Sequence, residues 1–146
     1  MHHEPYKLLR ARTVIYSLIL AALVTAMVAF MMLRQPVIMD VIRDRNTLYR
    51  DVGRQGIENS YTIRVINKHN QEHQYRLSVS GLDGLVIRTE TEFSLAPESV
   101  YTIPTSVTAP HESAVGGNII EFRVESLDDA SIAVTEESRF RGPVGE

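Results

Sequence analysis

Residues 57–80 read IENSYTIRVINKHNQEHQYRLSVS, and the pattern of this stretch decides the fold of the chain. Apolar and polar side chains alternate from Ile57 to Asn67, and the alternation returns from Glu72 to Ser80. Because successive side chains of a β-strand point to opposite faces of the sheet, strict alternation indicates two strands that each bury one face. The short link Lys68–Gln71 can join them directly. The stretch therefore predicts a β-hairpin.

Stretches with the same alternation lie on both sides of this hairpin. The further predicted strands are Val37–Ile42, Leu85–Thr89, Ser99–Thr108, Asn118–Ser126 and Ile132–Phe140, and Phe93–Leu95 is predicted as a short extended piece. Seven strands in all, at intervals of about ten residues and without helical periodicity, are typical of an all-β sandwich of the immunoglobulin or fibronectin-III kind. We expect this sandwich to cover residues 37–141. Pro104 interrupts one strand pattern, which predicts a sheet edge or a β-bulge there.

The longest apolar run of the chain is Val14–Leu33, which contains no charged residue. A helix rises about 1.5 Å per residue, so this run would span about 30 Å, the thickness of the hydrocarbon core of a bilayer. We predict a transmembrane helix over residues 14–33 and a basic juxtamembrane leader over residues 1–13. A buried core helix is one alternative, but the sequence that follows is strand-like and offers no helices to surround it. A cleaved signal peptide is the other, but its apolar region normally ends after about 7–15 residues.

Basic residues flank the apolar run on both sides. Lys7, Arg10 and Arg12 precede it, and the basic residues that follow it are Arg34, Arg43, Arg45 and Arg50. The overall count is close to even, but the charges nearest the helix favour the N-terminal side. Positively charged flanks are retained on the cytoplasmic side of a membrane. We therefore expect the N-terminus in the cytoplasm and the C-terminal domain on the opposite side of the membrane.

One face of the predicted helix carries small residues at every fourth position: Ser17, Ala21, Thr25 and Ala29. Helices associate in lipid through close backbone contact over small side chains, and the hydroxyl groups of Ser17 and Thr25 can add hydrogen bonds between helices. We predict that this face docks on other transmembrane helices. The alternative is that it reflects only the general abundance of alanine in such helices.

The composition excludes several classes of protein. Residues 1–36 carry four lysines and arginines against one glutamate, whereas residues 37–146 carry eleven against seventeen acidic residues. An acidic domain without a basic stripe argues against nucleic-acid binding. Because the chain has no cysteine, it can hold no disulfide, thiolate nucleophile or cysteine-bound iron–sulfur cluster. The sequence shows no nucleophile–base constellation and no phosphate-binding loop, so we expect no enzyme activity from this chain.

His69 and His73 form the histidine pair whose spacing comes nearest to that of metal ligands, and Glu72 is the nearest oxygen ligand. Residues four apart on a hairpin need not share a face, and no further ligand motif completes a zinc site. A solvated loop is therefore favoured over a copper or zinc site. A thioether site for Cu(I) is a further alternative, although methionine also suits lipid-facing surface; its candidates are Met27, Met31, Met32 and Met39.

A charged run follows the first predicted strand, and residues 40–50 read DVIRDRNTLYR. The specific positions of this motif are Asp40, Val41, Arg43, Asp44, Arg45, Asn46, Leu48, Tyr49 and Arg50. The chain also contains the leader KLLRART, YRLSVSGL at residues 75–82, and ESRF at residues 137–140 followed by Gly142–Pro143. Together these stretches resemble the C-terminal part of the cytochrome c oxidase accessory protein family, of the FixG and RdxA type. The resemblance covers nearly the whole chain.

The motif divides the sandwich region in two. We assign residues 34–56 to a linker with the first strand and the charged motif, and residues 57–146 to the remainder of the domain. The motif charges can pair locally and fix the approach of the sandwich to the bilayer, or they can contact a partner protein. A plain charged turn, with ion pairs worth less than about 1 kcal/mol each, is the third interpretation.

The resemblance implies a location and a function. Members of that family have several N-terminal helices, a cytoplasmic ferredoxin-like domain with iron–sulfur clusters, and a last transmembrane helix before a periplasmic immunoglobulin-like domain. They are implicated in assembling the cbb-type haem–copper oxidase, through reduction of copper for delivery. This chain corresponds to the last helix and the last domain, so no cluster ligand and no redox activity can be assigned to its residues.

We therefore expect a non-catalytic periplasmic interaction domain, anchored in the bacterial inner membrane, whose partners are other transmembrane helices and oxidase-assembly proteins. A copper-binding carrier that uses His69, His73 and the methionines is one alternative. A generic immunoglobulin-like adhesion or scaffold module is another. Self-association of the chain stays open, as does the choice between a fragment of a longer protein and a truncated relative.

Overall fold

The computed structural model describes residues 11–33, 36–45 and 48–144, and it divides the chain into two units, Met1–Arg34 and Gln35–Glu146. The first unit contains one helix, α1, at Ala11–Met32. This helix is long and apolar enough to cross a membrane, and none of its side chains is buried in protein. The described residues therefore do not bury α1, as a core helix would require. Lys7 and Arg10, on which the predicted orientation partly rests, lie outside the described residues, as do most of the leader and Arg34.

The second unit is a sandwich of two antiparallel sheets. Its strands are β1 (Val37–Arg43), β2 (Arg50–Asp51), β3 (Ile57–Asn67), β4 (His73–Ser80), β5 (Val86–Ile87), β6 (Glu92–Leu95), β7 (Val100–Ala109), β8 (Gly117–Ser126) and β9 (Ala133–Arg141). One sheet has the order β1-β3-β7-β5, with β2 added to β3, and the other has the order β6-β4-β8-β9. A short 3₁₀ turn, Gly53–Gln55, leads into β3.

The predicted all-β sandwich with a preceding apolar helix is confirmed, and each of the seven predicted strands has a counterpart. Arg50–Asp51 and Glu92–Leu95 form two strands in addition. The predicted strand Leu85–Thr89 is wrong in extent, because only Val86 and Ile87 pair with β7, at the edge of the sheet. A short edge strand limits unwanted pairing with other chains.

The first strand lies in the sandwich, within the expected range of residues 37–141. Val37 and Met39 are fully or almost fully buried in the core, at 0% and 3% exposure. The whole of β1 pairs with β3, from Val37 opposite Asn67 to Arg43 opposite Tyr61. The apolar side chains of β1 therefore fill the same interior as those of β3.

The inner face of β3 organises this interior. Every second residue from Ile57 to Asn67 is buried, as the alternation predicts. Tyr61 meets Phe122 of the opposite sheet edge to face, with ring centres 5.0 Å apart. Aromatic pairs prefer this arrangement, and they contribute packing beyond the area they bury.

Pro104 lies in β7 opposite Thr62 of β3. The carbonyl of Ser106 accepts a hydrogen bond from the Arg88 amide, on the side of β7 away from β3. Since residues two apart in a strand direct their backbone groups to the same side, the nitrogen of Pro104 also faces away from β3. Proline therefore removes no hydrogen bond to β3. It removes none to β5 either, because β5 ends before it reaches Pro104. The predicted edge position is what the structure shows.

Two buried asparagines tie the sheets together at opposite ends of β3. The side chain of Asn59 bonds to the backbone of Arg141 twice: Nδ2 donates to the carbonyl at 2.7 Å, and Oδ1 accepts from the amide at 3.0 Å. Arg141 belongs to β9 of the other sheet. The side-chain amide thus provides the donor and the acceptor that a neighbouring strand would offer.

Asn67, at the other end of β3, is fully buried. Its Nδ2 donates to carbonyl oxygens of the hairpin link and of the chain at the end of β6, namely those of Gln71 (2.9 Å), Leu95 (3.2 Å) and Ala96 (3.2 Å). Its Oδ1 accepts from the His69 amide at 3.0 Å and from the Tyr75 hydroxyl at 3.3 Å. Every polar atom of this side chain is therefore bonded inside the sandwich.

We predict that Asn67→Asp destabilises the sandwich by at least about 3 kcal/mol, because the oxygen that replaces Nδ2 would face three carbonyl oxygens in a buried position without a donor of its own. The free energy of unfolding of the full chain in detergent, measured by urea titration with far-UV circular dichroism, tests this. Asn70→Asp is the matched control, since Asn70 is exposed at the hairpin tip. Equal stability of the two variants would contradict the role of Asn67.

Candidate functional site

A groove of about 450 Å³ lies where the end of β1 meets β9 of the other sheet. It is lined by apolar and basic side chains and one serine: Val41, Ile42, Arg43, Arg45, Ser138 and Arg139. Half of these six residues are arginines, and no acidic side chain is among the described residues that line the groove. The groove therefore combines positive charge with an apolar floor.

The buried face of β3 holds the two walls of the groove in place. The Tyr61 hydroxyl donates to the carbonyl of Arg139 at 3.1 Å, so β3 fixes the backbone of β9. Burial raises the pKa of the Tyr61 phenol well above its ordinary value, and the positive charge of Arg43 offsets part of this shift. Nη1 of Arg43 donates to the carbonyl of Leu48 at 3.4 Å, which draws the chain after β1 back toward the groove.

The chemistry of the groove suits an anionic partner. Guanidinium groups bind carboxylates and phosphates through paired N–H donors, and they stay charged at every physiological pH. Ile42, on the face of β1 opposite to that of Arg43, also lines the groove and is 48% exposed. Two arginines outside the groove form ion pairs, Arg76 with Glu92 at 2.9 Å and Arg123 with Glu125 at 3.2 Å.

The structure brings only part of the charged motif into the groove. Arg43 and Arg45 line it, whereas Asp40 is exposed on β1 opposite Arg64. The Asp44 amide donates to the carbonyl of Ser60 at 3.0 Å, which fastens the end of β1 to β3.

The rest of the motif lies along the chain that leads into β2. Arg50 lies opposite Glu58 in the antiparallel register of β2 and β3. The side chain of Tyr49 is 38% exposed. Asn46, also a motif position, lies outside the described residues. The motif therefore acts in part as a structural connection between β1, β2 and β3.

Ser138 and Arg139 are groove residues that the sequence did not assign to a site. Both belong to the ESRF stretch at residues 137–140, which carries part of the family resemblance. The resemblance was thus a signal for their importance, but only the approach of β9 to β1 places them next to Arg43.

His69 and His73 form a second cluster, and the expectation of a solvated loop is wrong for His73, which is buried in β4. His73 is only 8% exposed, and its Nε2 lies 3.3 Å from Nδ1 of His69. Nδ1 of His73 lies 3.8 Å from Oδ2 of Asp128, in the turn between β8 and β9. Within the described part of the chain, no group of three or more histidine, cysteine or acidic residues could hold a metal ion.

The predicted docking face of α1 is present as one continuous helical stripe. Ser17, Ala21, Thr25 and Ala29 all lie within α1 and are all exposed. The Thr25 hydroxyl donates to the carbonyl of Ala21 at 2.8 Å. Its proton is therefore engaged within the helix, and only its acceptor capacity is available to another helix. Docking by this face stays a prediction.

These features define a class of protein: an immunoglobulin-like sandwich without disulfides, preceded by an apolar helix and bearing a basic groove between its sheets. Residues 27–143 match the family described as "IG-like fold at C-terminal of FixG", a description that treats FixG as a candidate oxidoreductase. The chain belongs to this family, and its resemblance to the FixG and RdxA type is confirmed.

Relatives and a solved structure agree with this assignment. The chain is 30% identical to Protein RdxB of Cereibacter sphaeroides over 68% of its own length, and 30% identical to Protein RdxA of the same organism over 85%. The crystal structure of a FixG-related protein from Vibrio parahaemolyticus is 34% identical, with a TM-score of 0.66, covering 74% of this chain and 97% of the other. The chain spans only 20% of RdxB and 27% of RdxA.

The buried Tyr61 generates a prediction on stability and pH. Its raised pKa means that above about pH 10 the unfolded state ionises first, so the folding stability contributed by Tyr61 is complete below that pH and falls as pH rises. Tyr61→Phe should lower the free energy of unfolding at pH 7 by about 1–2 kcal/mol, because the Arg139 carbonyl loses its donor. The same variant should lose less stability between pH 9 and 11 than the parent.

Urea unfolding of the full chain at a series of pH values measures both effects. Tyr101→Phe is the matched control, because Tyr101 is 41% exposed on β7. A parent-like alkaline slope in Tyr61→Phe would show that the Tyr61 hydroxyl is not buried as described.

Proposed function

We propose that this chain is the membrane-anchored, periplasmic interaction domain of a protein that assists the assembly of a cbb-type cytochrome c oxidase, and that it has no catalytic activity of its own. Its membership of the FixG C-terminal family and its similarity to RdxA and RdxB support this proposal. The redox and copper-reducing functions implied by the resemblance belong to the parts of such proteins that this chain does not span. The immunoglobulin-like domain contributes recognition.

The basic groove is the observation that carries the proposal. Arg43, Arg45 and Arg139 all line the groove, although residues 37–146 carry more acidic than basic residues. A groove of this charge selects a partner with acidic side chains, because complementary charge raises the association rate and disfavours other partners. Oxidase subunits and their assembly proteins are the partners we propose.

The apolar helix anchors the domain in the bacterial inner membrane, with its N-terminus in the cytoplasm. Its length and composition and the basic residues before it support this topology. The stripe from Ser17 to Ala29 provides a surface on which companion helices can pack, because small side chains permit close approach in lipid.

Site-specific crosslinking tests the groove, and the chain is suited to it because it has no native cysteine. Ser138→Cys, labelled with a benzophenone maleimide, should crosslink in membranes to an oxidase subunit or assembly protein identified by mass spectrometry. Adding Arg45→Glu and Arg139→Glu should reduce that crosslink on the order of tenfold, the change expected for about 1.4 kcal/mol of binding energy.

Two controls separate groove binding from proximity and from net charge. Ser78→Cys places the same label on the exposed face of β4, and Arg54→Glu with Arg88→Glu makes the same change in net charge at exposed positions outside the groove. An equal crosslink from Ser78→Cys would argue against a groove interface. Crosslinks only to proteins unconnected with respiration would favour a generic adhesion or scaffold module.

Single cysteines also test the topology. Ser131→Cys, in the exposed turn before β9, should react with a membrane-impermeant maleimide in cells whose outer membrane has been permeabilised. Leu8→Cys, in the leader, should react only after the inner membrane is broken. The opposite pattern would place the sandwich in the cytoplasm and contradict a periplasmic function.

A further inference from the structure

The two histidines of the β3–β4 hairpin stand in an unusual arrangement. The His69 amide donates to Oδ1 of Asn67 at 3.0 Å, so the buried asparagine sets the course of the link. The two rings then meet with Nδ1 of His69 3.3 Å from Nε2 of His73, with ring centres 5.0 Å apart and ring planes inclined at 71°. Nδ1 of His69 and Nε2 of His73 are therefore the ring nitrogens that face each other.

This spacing is that of two ligands on one metal ion. Two imidazole nitrogens bound at about 2.0–2.1 Å to a tetrahedral metal lie about 3.3–3.4 Å apart, and their ring centres lie about 5 Å apart. A hydrogen bond along the axes of both rings would put the ring centres about 5.5 Å apart at the same nitrogen separation. The observed 5.0 Å matches the converging arrangement better than the collinear one.

The far side of His73 has the environment of a metal-binding histidine. Its Nδ1 is buried, makes no hydrogen bond within the described part of the chain, and lies 3.8 Å from Oδ2 of Asp128. That carboxylate oxygen is held in place by the Gln74 amide at 2.8 Å. A small shift would bring this carboxylate within hydrogen-bonding distance of Nδ1, which would leave the lone pair of Nε2 for a cation; metal-bound histidines commonly donate their other ring N–H to a carboxylate.

The charge around the pair also favours a cation. Oδ2 of Asp128 lies 3.8 Å from Nδ1 of His73. Asp129 follows it in the same turn, where its Oδ1 accepts hydrogen bonds from the Ser131 hydroxyl at 2.7 Å and from the Ser131 amide at 2.9 Å. The attraction of these carboxylates for a cation adds to the ligand strength of the two imidazoles.

We propose that His69 Nδ1 and His73 Nε2 together bind one divalent transition-metal ion, with water in the remaining coordination positions and Asp128 as the positioning residue for His73. Imidazole ligands suit Zn²⁺, Cu²⁺ and Ni²⁺. Two protein ligands make an open site, from which a metal can be exchanged with another binder. The site shares no residue with the basic groove. The test of metal binding is therefore independent of the test of the proposed function.

Zn²⁺ titration of the full chain in detergent, by isothermal calorimetry, tests the proposal. His2 and His3 are changed to alanine in every sample, because a histidine pair in the leader could bind metal by itself. We expect one Zn²⁺ per chain in this background. His69→Ala should weaken binding by at least about tenfold, and Asp128→Asn by about 10–100-fold, the loss usual for an outer-shell partner.

His111→Ala is the matched control, because His111 is also on the sandwich and has an acidic neighbour, with its Nε2 3.2 Å from Oδ1 of Asp51. It should leave Zn²⁺ binding unchanged within twofold. Co²⁺ absorption adds a readout of coordination, since a tetrahedral site gives strong visible bands that His69→Ala should abolish. Melting temperatures without metal establish that each variant is folded.

Three results would overturn the proposal: no Zn²⁺ binding in the background protein, equal binding after His69→Ala in a folded sample, or an equal loss with His111→Ala. The first would show that the two rings share only a hydrogen bond. The others would place the bound metal elsewhere on the chain.

Discussion

The inner face of β3 must be buried along its whole length, and two of its side chains there, Asn59 and Asn67, are amides. A buried amide costs free energy unless each polar atom finds a partner. Asn59 finds its partner in the backbone of Arg141, and Asn67 finds partners near the end of β6. The requirement to satisfy these amides thus links the two sheets in a chain that has no cysteine to do so.

Both candidate sites follow from this polar interior. At one end of β3, the bonds from Asn59 and Tyr61 hold β9 against the sheet that contains β1, so Arg139 comes next to Arg43. At the other end, Asn67 fixes the His69 amide and hence the distance between the two histidine rings. Neither site could keep its geometry if the buried amides were replaced by side chains that only fill space.

The alternation of the sequence was enough to predict β3 to the residue, because burial of one face is a local property of the pattern. It failed for Leu85–Thr89, where pairing depends on how far β5 can follow β7 at an edge. It also gave no sign of the bonds that the asparagines make to the opposite sheet, since Arg141 is 82 residues from Asn59 and Leu95 is 28 residues from Asn67. The histidine contact was missed because it depends on the course of a four-residue link.

The sequence showed which stretches contribute residues to the groove, but not that these stretches meet. The charged motif and the ESRF stretch could be recognised as family features, but nothing in either stretch indicates that Arg45 and Arg139 share one surface. Their common surface depends on the register of β1 on β3 and on the side-chain hydrogen bonds from β3 to β9. Sites built between the two sheets of a sandwich are therefore the part of such a domain that a pattern predicts least.

The distance between the two sites also has a consequence for function. Val41 and Arg43 of the groove lie opposite Ile63 and Tyr61 of β3. These positions are four to six residues from Asn67, which corresponds to about 13–20 Å at about 3.3 Å per residue. Over such a distance, local changes in a well-packed domain have nearly additive effects on stability. One end carries three guanidinium groups, and the other carries two imidazoles beside two carboxylates. Because opposite charges select opposite ligands, the sandwich can engage an acidic partner through β1 and β9 while its hairpin end stays available to a cation.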